Sequence, residues 1–161
     1  MVMRLLACVV AFFAFATVAR AAEPVVAATP EQQKEMLASG TPQEQANKKL
    51  VYDMWREFLT AHHLEAADKY LAPDYHQHNP NAVTGREGVK AYFKAIGAKP
   101  TAVPPTIPDL VQILGDRDMV TLFFVRHYKN SKGEDYTTTW ADMFRVKGNQ
   151  IVEHWDVAKM N

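Results

Sequence analysis

The chain has 161 residues, of which 48% are hydrophobic and 22% charged, and its formal net charge at pH 7 is 0. This length suits one domain with its own core, and the composition is that of an ordinary globular protein. Nucleic acid is excluded as an expected partner, because phosphate binding needs a basic face and no run of Lys or Arg occurs in the sequence.

The first 21 residues are predicted to form a cleaved signal peptide. Arg4 precedes an apolar stretch, residues 5–18, that is too short to span a bilayer. Ala19 to Ala21 fits the small-x-small cleavage rule, so we expect cleavage after Ala21. The sequence therefore predicts a periplasmic or secreted protein that has no membrane contact after cleavage. A lipoprotein signal ending at Cys8 is the alternative, but Cys8 precedes the apolar run instead of following it.

Three helix starts are predicted from one signature, a Thr followed three residues later by Gln or Glu, which is the spacing of a capping box. These starts lie at Thr29, Thr41 and Thr84. Residues 22–42 are predicted to be a linker and a short helix. A long second helix is expected from Pro42 to about His62 or His63, because apolar residues recur there at helical spacing. A short helical piece is expected over residues 64–71.

The segment Tyr75 to Pro80 contains a His-x-His pair. In an extended chain His76 and His78 share one face, and alternate strand residues of this kind can bind one metal ion. A metal site shared by these two residues with His127 and His154 is therefore one interpretation. The other is that one histidine is exposed and the other bonds locally. Because no cysteine joins the cluster and the pair does not identify a third ligand, we expect no metal. Nothing in the sequence suggests a nucleotide or flavin site, so we expect no other cofactor.

Four strands are predicted after a proline-rich loop, residues 98–108. They lie at Leu110 to Leu114, Met119 to Tyr128, Tyr136 to Val146 and Ile151 to Val157. Helices followed by an antiparallel meander predict an α+β fold. The strand from Met119 is apolar on both faces at its centre, which indicates that both faces are covered. Helices cover one face, and a second copy of the chain is expected on the other, which predicts a homodimer through the sheet.

A carboxylate interrupts the apolar side of the third predicted strand, Tyr136 to Val146. Period-2 alternation places Asp142 on the same side as Trp140 and Phe144. Such a break in pattern is expected at functional or strained sites. The alternative is a structural ion pair between Asp142 and either Arg126 or Arg145.

Four short motifs carry a resemblance to a known family. They are Tyr75 to Pro80, Gly85 to Gly88, Asp142 to Val146 and Glu153 to Asp156. Over about residues 43–158 the chain resembles the SnoaL-like branch of the NTF2-like superfamily. The resemblance implies a cone in which N-terminal helices pack on a curved, mainly antiparallel sheet. The turn that begins at Gly148 is one residue longer than the family's usual Gly-Lys-Ile, which predicts an altered hairpin register.

The resemblance also implies an activity. Polyketide cyclases of this family close rings by intramolecular aldol condensation without a cofactor, using an acidic residue that a histidine assists. The matching acid here is Asp142, and the matching histidine is His127. From the residues alone, either His127 or His154 is a candidate for the second proton-transfer group. The residues themselves support such chemistry, because a desolvated carboxylate is a stronger base and imidazole titrates near neutral pH.

The expected ligand is a small hydrophobic or carbonyl-containing compound, which would undergo aldol condensation, cyclisation or isomerisation. The expected ligand-binding wall is formed by Tyr75, His78, Trp140, Phe144 and Trp155. Two other interpretations remain open. One is a non-catalytic protein that binds a small molecule, and the other places His154 and the two tryptophans in the hydrophobic core.

Overall fold

The computed structural model describes residues 23–157. The predicted signal peptide, including Cys8, lies outside the described residues. Helices occur at Pro30–Met36 (α1), Pro42–Met54 (α2), Ala66–Tyr70 (α3) and Arg86–Ala95 (α4), and a π-helical segment at Trp55–Thr60. Strands occur at Leu71–Gln77 (β1), Leu110–Asp116 (β2), Met119–Lys129 (β3), Asp135–Lys147 (β4) and Gln150–Asp156 (β5).

The five strands form one sheet in the order β1-β5-β4-β3-β2. Strands β2 to β5 are the predicted antiparallel meander. Strand β1 joins the other edge by pairing in parallel with β5, which places residues far apart in sequence side by side. The predicted α+β class with a mainly antiparallel sheet is confirmed.

The helix starts follow their predicted capping chemistry in two of three cases. Thr29 forms a full capping box with Gln32, and the Thr41 hydroxyl accepts from the backbone N–H of Glu44. The prediction for Thr84 is wrong, because α4 begins after Gly85, whose φ is 87°. The Thr84 hydroxyl instead bonds the backbone of β1 and so ties the loop before α4 to that strand.

The predicted long helix is continuous in the chain but not uniform in geometry. After Met54 the backbone widens into the π-helical segment and ends at Thr60, just before the predicted end. Such segments occur often beside functional sites. The third helical piece is shorter than predicted, because β1 already begins at Leu71.

The core lies between the helices and the inner face of the sheet. Along β3 every second residue points inward, and Val120, Leu122 and Phe124 are at most 2% exposed. From the helical side the buried partners are Val51, Met54 and Phe58. Within residues 23–157, none of the helices is both long and apolar enough to cross a membrane.

The β4–β5 turn has the two-residue form expected of a tight hairpin. Lys147 pairs with Gln150, and Gly148 and Asn149 have φ values of 54° and 63°. Two positive φ angles in succession are typical of a type I′ turn. Arg145 pairs with Glu153 while Val146 pairs with Ile151, so the pairing contains a bulge. The bulge shifts the pairing of the later residues of β5 with β4 by one position.

We expect Gly148→Ala to lower the free energy of unfolding by about 1 kcal/mol, because a Cβ is disfavoured at positive φ. Space is not the reason, since nothing lies within 4 Å of the added Cβ. Gly40→Ala is the matched control, because that position is equally open and has no positive φ. Urea unfolding of both variants measures the difference. Equal stability of the two would contradict the backbone argument.

Candidate functional site

A cavity of about 250 Å³ lies between the inner face of the sheet and the helices. Most of its wall is apolar, with contributions from Met54, Phe58, Leu71, Val89, Phe93 and Phe144. Its polar lining comes mainly from β1, from the segment after it and from β5, namely Tyr75, Gln77, Asn79, Asn81, His154 and Asp156. An apolar cavity with a few convergent polar groups is the usual form of a small-molecule site.

The pairing of three strands brings the polar side chains together. Gln77 of β1 lies beside His154 of β5. On the other side of β5, Phe144 lies opposite His154 and Asp142 lies opposite Asp156. Residues that pair directly point to the same face of a sheet, so all five face inward.

Asp142 and His154 form a buried pair. They are 5% and 8% exposed, and Nε2 of His154 lies 3.1 Å from Oδ1 of Asp142. The imidazole stacks on the Phe144 ring, with 4.4 Å between centroids and 8° between planes. The second carboxylate oxygen of Asp142, Oδ2, is buried and has no hydrogen-bond partner. Asp142 itself does not line the cavity and lies behind His154.

Gln77 determines which imidazole nitrogen carries the proton. Its Oε1 accepts from the backbone N–H of Asn79 at 3.0 Å, so its amide nitrogen faces Nδ1 of His154, 2.9 Å away. An amide N–H can only donate, so Nδ1 must accept. The ring proton therefore lies on Nε2 and is donated to Asp142.

Asp156 is the carboxylate that borders the cavity. Its Oδ2 accepts from the side-chain amide of Asn79 at 2.8 Å, while its Oδ1 is buried without a hydrogen-bond partner. Asp156, Gln77 and Asn79 are not among the site residues predicted from the sequence. The available signal was alternation, because Asp156 is two residues after His154, and Gln77 and Asn79 continue the face of Tyr75.

The structure brings together four of the residues predicted for the site. Asp142 and His154 are in contact, and Tyr75 and Phe144 line the same cavity. Trp140 points inward but lies outside the cavity wall, where it is partly buried against the core. The Arg126 guanidinium lies 5.5 Å from the centroid of its ring. Trp140 therefore fits the interpretation of a core residue.

His127 is a correction to the predicted site. It is exposed and pairs with Thr137, whereas Asp142 pairs with Leu122. His127 is an odd number of residues from Leu122, so strand alternation puts it on the outer face. The histidine next to Asp142 is His154.

His78 and Trp155 also lie on the outer face, away from the cavity. Their rings stack with 4.5 Å between centroids, and Nε2 of His78 lies 3.4 Å from Glu153. His76 joins them, its ring centroid 4.4 Å from that of His78. Because His154 points to the opposite face, the structure does not bring the four histidines of the metal interpretation together.

The predicted ion pair between Asp142 and an arginine is not formed among residues 23–157. Arg145 points outward and binds Asp118 at 2.8 Å and Glu153 at 2.6 Å. The hydrogen bonds from Arg145 hold the pKa of both carboxyl groups below its usual range. The positive charge of Arg145 is thus neutralised on the outer face. Asp142 forms its side-chain hydrogen bond with His154 instead.

Tyr75 is a buried phenol in a negative environment. Burial is the largest cause that raises the pKa of Tyr75 above its ordinary value of 10.0, and the charges of Asp156 and Asp142 raise it further. Its oxygen accepts from the Gln77 amide at 3.4 Å. Tyr75 therefore keeps its proton at neutral pH and acts as a hydrogen-bond donor.

We expect the free energy of unfolding of Tyr75→Phe to fall less between about pH 8 and pH 11 than that of the wild type. The pKa of Tyr75 is higher in the folded than in the unfolded state, so its contribution is complete below about pH 10 and is lost as pH rises beyond that. Urea unfolding at about pH 8 and pH 11 measures the difference. Tyr136→Phe is the control, since Tyr136 is 47% exposed. An unchanged pH dependence in Tyr75→Phe would contradict the assignment.

Comparison with known proteins agrees with this architecture. Residues 52–154 match the profile of the SnoaL-like domain. No curated protein matches the sequence. A candidate polyketide cyclase of Acidithiobacillus ferrooxidans superimposes with a TM-score of 0.52 at 22% identity, over 74% of this chain and 90% of that one.

A second solved structure gives the same result. It is a candidate SnoaL-like polyketide cyclase from Jannaschia sp. CCS1, with a TM-score of 0.52 at 13% identity, over 74% of this chain and 90% of that one. Identities this low speak for the fold alone. The predicted cone of NTF2-like type is thereby confirmed.

Proposed function

We propose that this chain, which belongs to the SnoaL-like family, uses its cavity for cofactor-independent acid–base chemistry on a small carbonyl compound. The supporting observation is the unpartnered, buried oxygen of Asp156 at the cavity, beside the Asp142–His154 pair. A carboxylate oxygen without a hydrogen-bond donor is free to accept a proton from a ligand. The apolar wall around it suits a hydrophobic ligand.

The proposed first step is removal of a proton from the carbon next to the ligand's carbonyl group. Asp156 Oδ1 accepts this proton, and the electron pair of the C–H bond moves to the carbonyl oxygen as an enolate. The Tyr75 hydroxyl, which keeps its proton, donates a hydrogen bond to that oxygen. Donors aimed at developing charge in a dry site are a main source of catalysis.

The second step returns the proton. In an aldol closure the enolate carbon attacks a second carbonyl of the same molecule, and the proton on Asp156 passes to the new alkoxide. In an isomerisation the proton returns to a different carbon. His154 is the second titratable group at the cavity, and Asp142 positions its ring. Neither path needs a cofactor.

Proton exchange in D₂O tests the proposal without knowledge of the substrate. Acetylacetone, dimedone and α-tetralone carry exchangeable protons next to a carbonyl, and ¹H NMR follows their loss. We expect the protein to accelerate exchange of at least one compound that also binds. Binding of these compounds with no acceleration above buffer would contradict the catalytic proposal.

A non-catalytic binding protein is the second candidate. It is favoured by the occupation of both imidazole nitrogens, Nε2 by Asp142 and Nδ1 by Gln77, which leaves no free nitrogen for proton transfer. This candidate predicts ligand binding in the cavity with no exchange above the buffer rate. The same NMR experiment separates the two candidates.

We further propose export and dimerisation through the outer face of the sheet. The apolar run near the N-terminus supports export. The dimer is supported by the large exposed side chains of Leu114 on β2 and Met143 on β4, which lie on the outer face. Mass spectrometry of the secreted chain tests cleavage after Ala21, and light scattering tests the dimer, which a Met143→Asp variant is expected to weaken.

A further inference from the structure

We infer that Asp142, His154 and Asp156 form a binding site for one divalent cation of the Mn²⁺ and Zn²⁺ class. One ligand atom from each of the three residues lies within 4.8 Å of the others. The inference rests on this geometry and does not depend on whether the cavity catalyses any reaction.

The unpartnered oxygens supply the second observation. Asp142 is 5% exposed and its Oδ2 has no hydrogen-bond partner. Asp156 is partly exposed as a residue, but its Oδ1 is also buried and has no hydrogen-bond partner. Leaving a buried carboxylate oxygen without a donor is costly. Two such oxygens beside one imidazole are what a bound cation would satisfy.

The uncompensated negative charge of Asp142 and Asp156 also favours a bound cation. Among residues 23–157, neither Asp142 nor Asp156 is paired with a lysine or an arginine, and the nearest donors, His154 and Asn79, are uncharged in the arrangement described above. Two carboxylates this close, one of them buried, repel each other unless a positive charge or a shared proton lies between them. A divalent ion neutralises both.

The chemistry of the three ligand groups indicates which ions the site would bind. One imidazole and two carboxylates suit Mn²⁺, Fe²⁺ or Zn²⁺, whereas Mg²⁺ prefers oxygen alone and Cu⁺ prefers sulfur. Bonds of about 2.2 Å span at most about 4.4 Å across an ion. The three side chains therefore need only small movements to close around it.

Binding also redistributes one proton. The imidazole carries its proton on Nε2, which faces Asp142. When the ion takes Nε2, the proton passes through solvent to Nδ1, so the ring stays neutral. Gln77 must then turn its amide so that Oε1 accepts from Nδ1–H, which is the usual partner arrangement of a ligating histidine. While the ion is bound, Asp156 has no free oxygen, so ion binding and proton abstraction are alternative states of the cavity.

Mn²⁺ alone is the probe, because its free form is counted directly by EPR and exposed histidines bind it weakly. The chain is purified without a histidine tag and titrated with Mn²⁺, and Zn²⁺ is then added as competitor. The variants are Asp142→Asn and Asp156→Asn, which keep the size of each side chain. Asp118→Asn is the control, since Asp118 is a carboxylate of the outer face that pairs with Arg145. Circular dichroism confirms that each variant is folded.

We expect one Mn²⁺ per chain, released by Zn²⁺. Asp142→Asn and Asp156→Asn are each expected to raise the Kd at least about tenfold, and Asp118→Asn to change it less than about twofold. Absence of Mn²⁺ binding to the wild type at millimolar concentration would overturn the inference. So would binding that both Asp142→Asn and Asp156→Asn leave unchanged, or binding that is removed only by a further variant, His78→Gln on the outer face.

Discussion

The Asp156→Asn variant is expected to exchange the protons of a bound carbonyl ligand at least about 100-fold more slowly than the wild type, the usual contribution of a positioned general base. The amide has nearly the shape of the carboxylate but cannot accept the proton. Its oxygen still accepts from the side chain of Asn79, which lies 2.8 Å from Asp156 Oδ2. The fold is therefore expected to survive. NMR exchange rates in D₂O, with ligand concentrations that saturate both proteins, measure the effect.

Asp142→Asn is the matched comparison. Asp142 does not line the cavity, and an asparagine there still accepts from Nε2 of His154. We therefore expect a smaller loss of rate in this variant than in Asp156→Asn. A larger loss in Asp142→Asn would show that the sequence-based assignment of Asp142 as the base is right and that Asp156 is not the proton acceptor.

Strand alternation explains which site residues could be predicted from the sequence. Alternation along β4 correctly placed Asp142 and Phe144 on the inner face, because the period of a strand is two and leaves no freedom once one residue is assigned. The same rule, applied to both β3 and β4, excludes His127. Excluding His127 requires knowing that Leu122 of β3 pairs with Asp142 of β4. This register depends on the length of the β3–β4 turn, so the sequence pattern of one strand does not give it.

Other parts of the site depend on contacts between distant segments. Gln77 and Asn79 reach His154 and Asp156 only because β1 pairs in parallel with β5, which no local pattern indicates. The π-helical geometry of Trp55–Thr60 likewise has no local signature, since its apolar spacing fits an ordinary helix. The predicted cap at Thr84 is wrong for a related reason. A distant segment is involved, because the Thr84 hydroxyl forms its hydrogen bonds with the backbone of β1 and not with the start of α4.

Phe144→Ala is expected to lower the free energy of unfolding by about 3–5 kcal/mol, the usual cost of removing a buried phenyl ring. Phe144 is 1% exposed, and its ring contacts both His154 and the Trp55 ring, whose centroid is 6.1 Å away. Because the cavity is already open beside it, the neighbours have little means to fill the space, which favours the upper part of that range.

Met143→Ala is the control for this prediction, because Met143 is the neighbouring residue on β4, points to the outer face and is 40% exposed. Its cost is expected to stay within about 0.5 kcal/mol when the chain is monomeric. Urea unfolding at low protein concentration compares the two variants. Similar losses in both would mean that the faces of β4 are not divided into core and surface. That result would contradict the placement of Asp142 on the inner face beside His154. A large loss of stability in Phe144→Ala alone would support the division of β4 into a core face and a surface face. It would also support the role of the Phe144 ring in holding the imidazole in place, since the same ring stacks on His154.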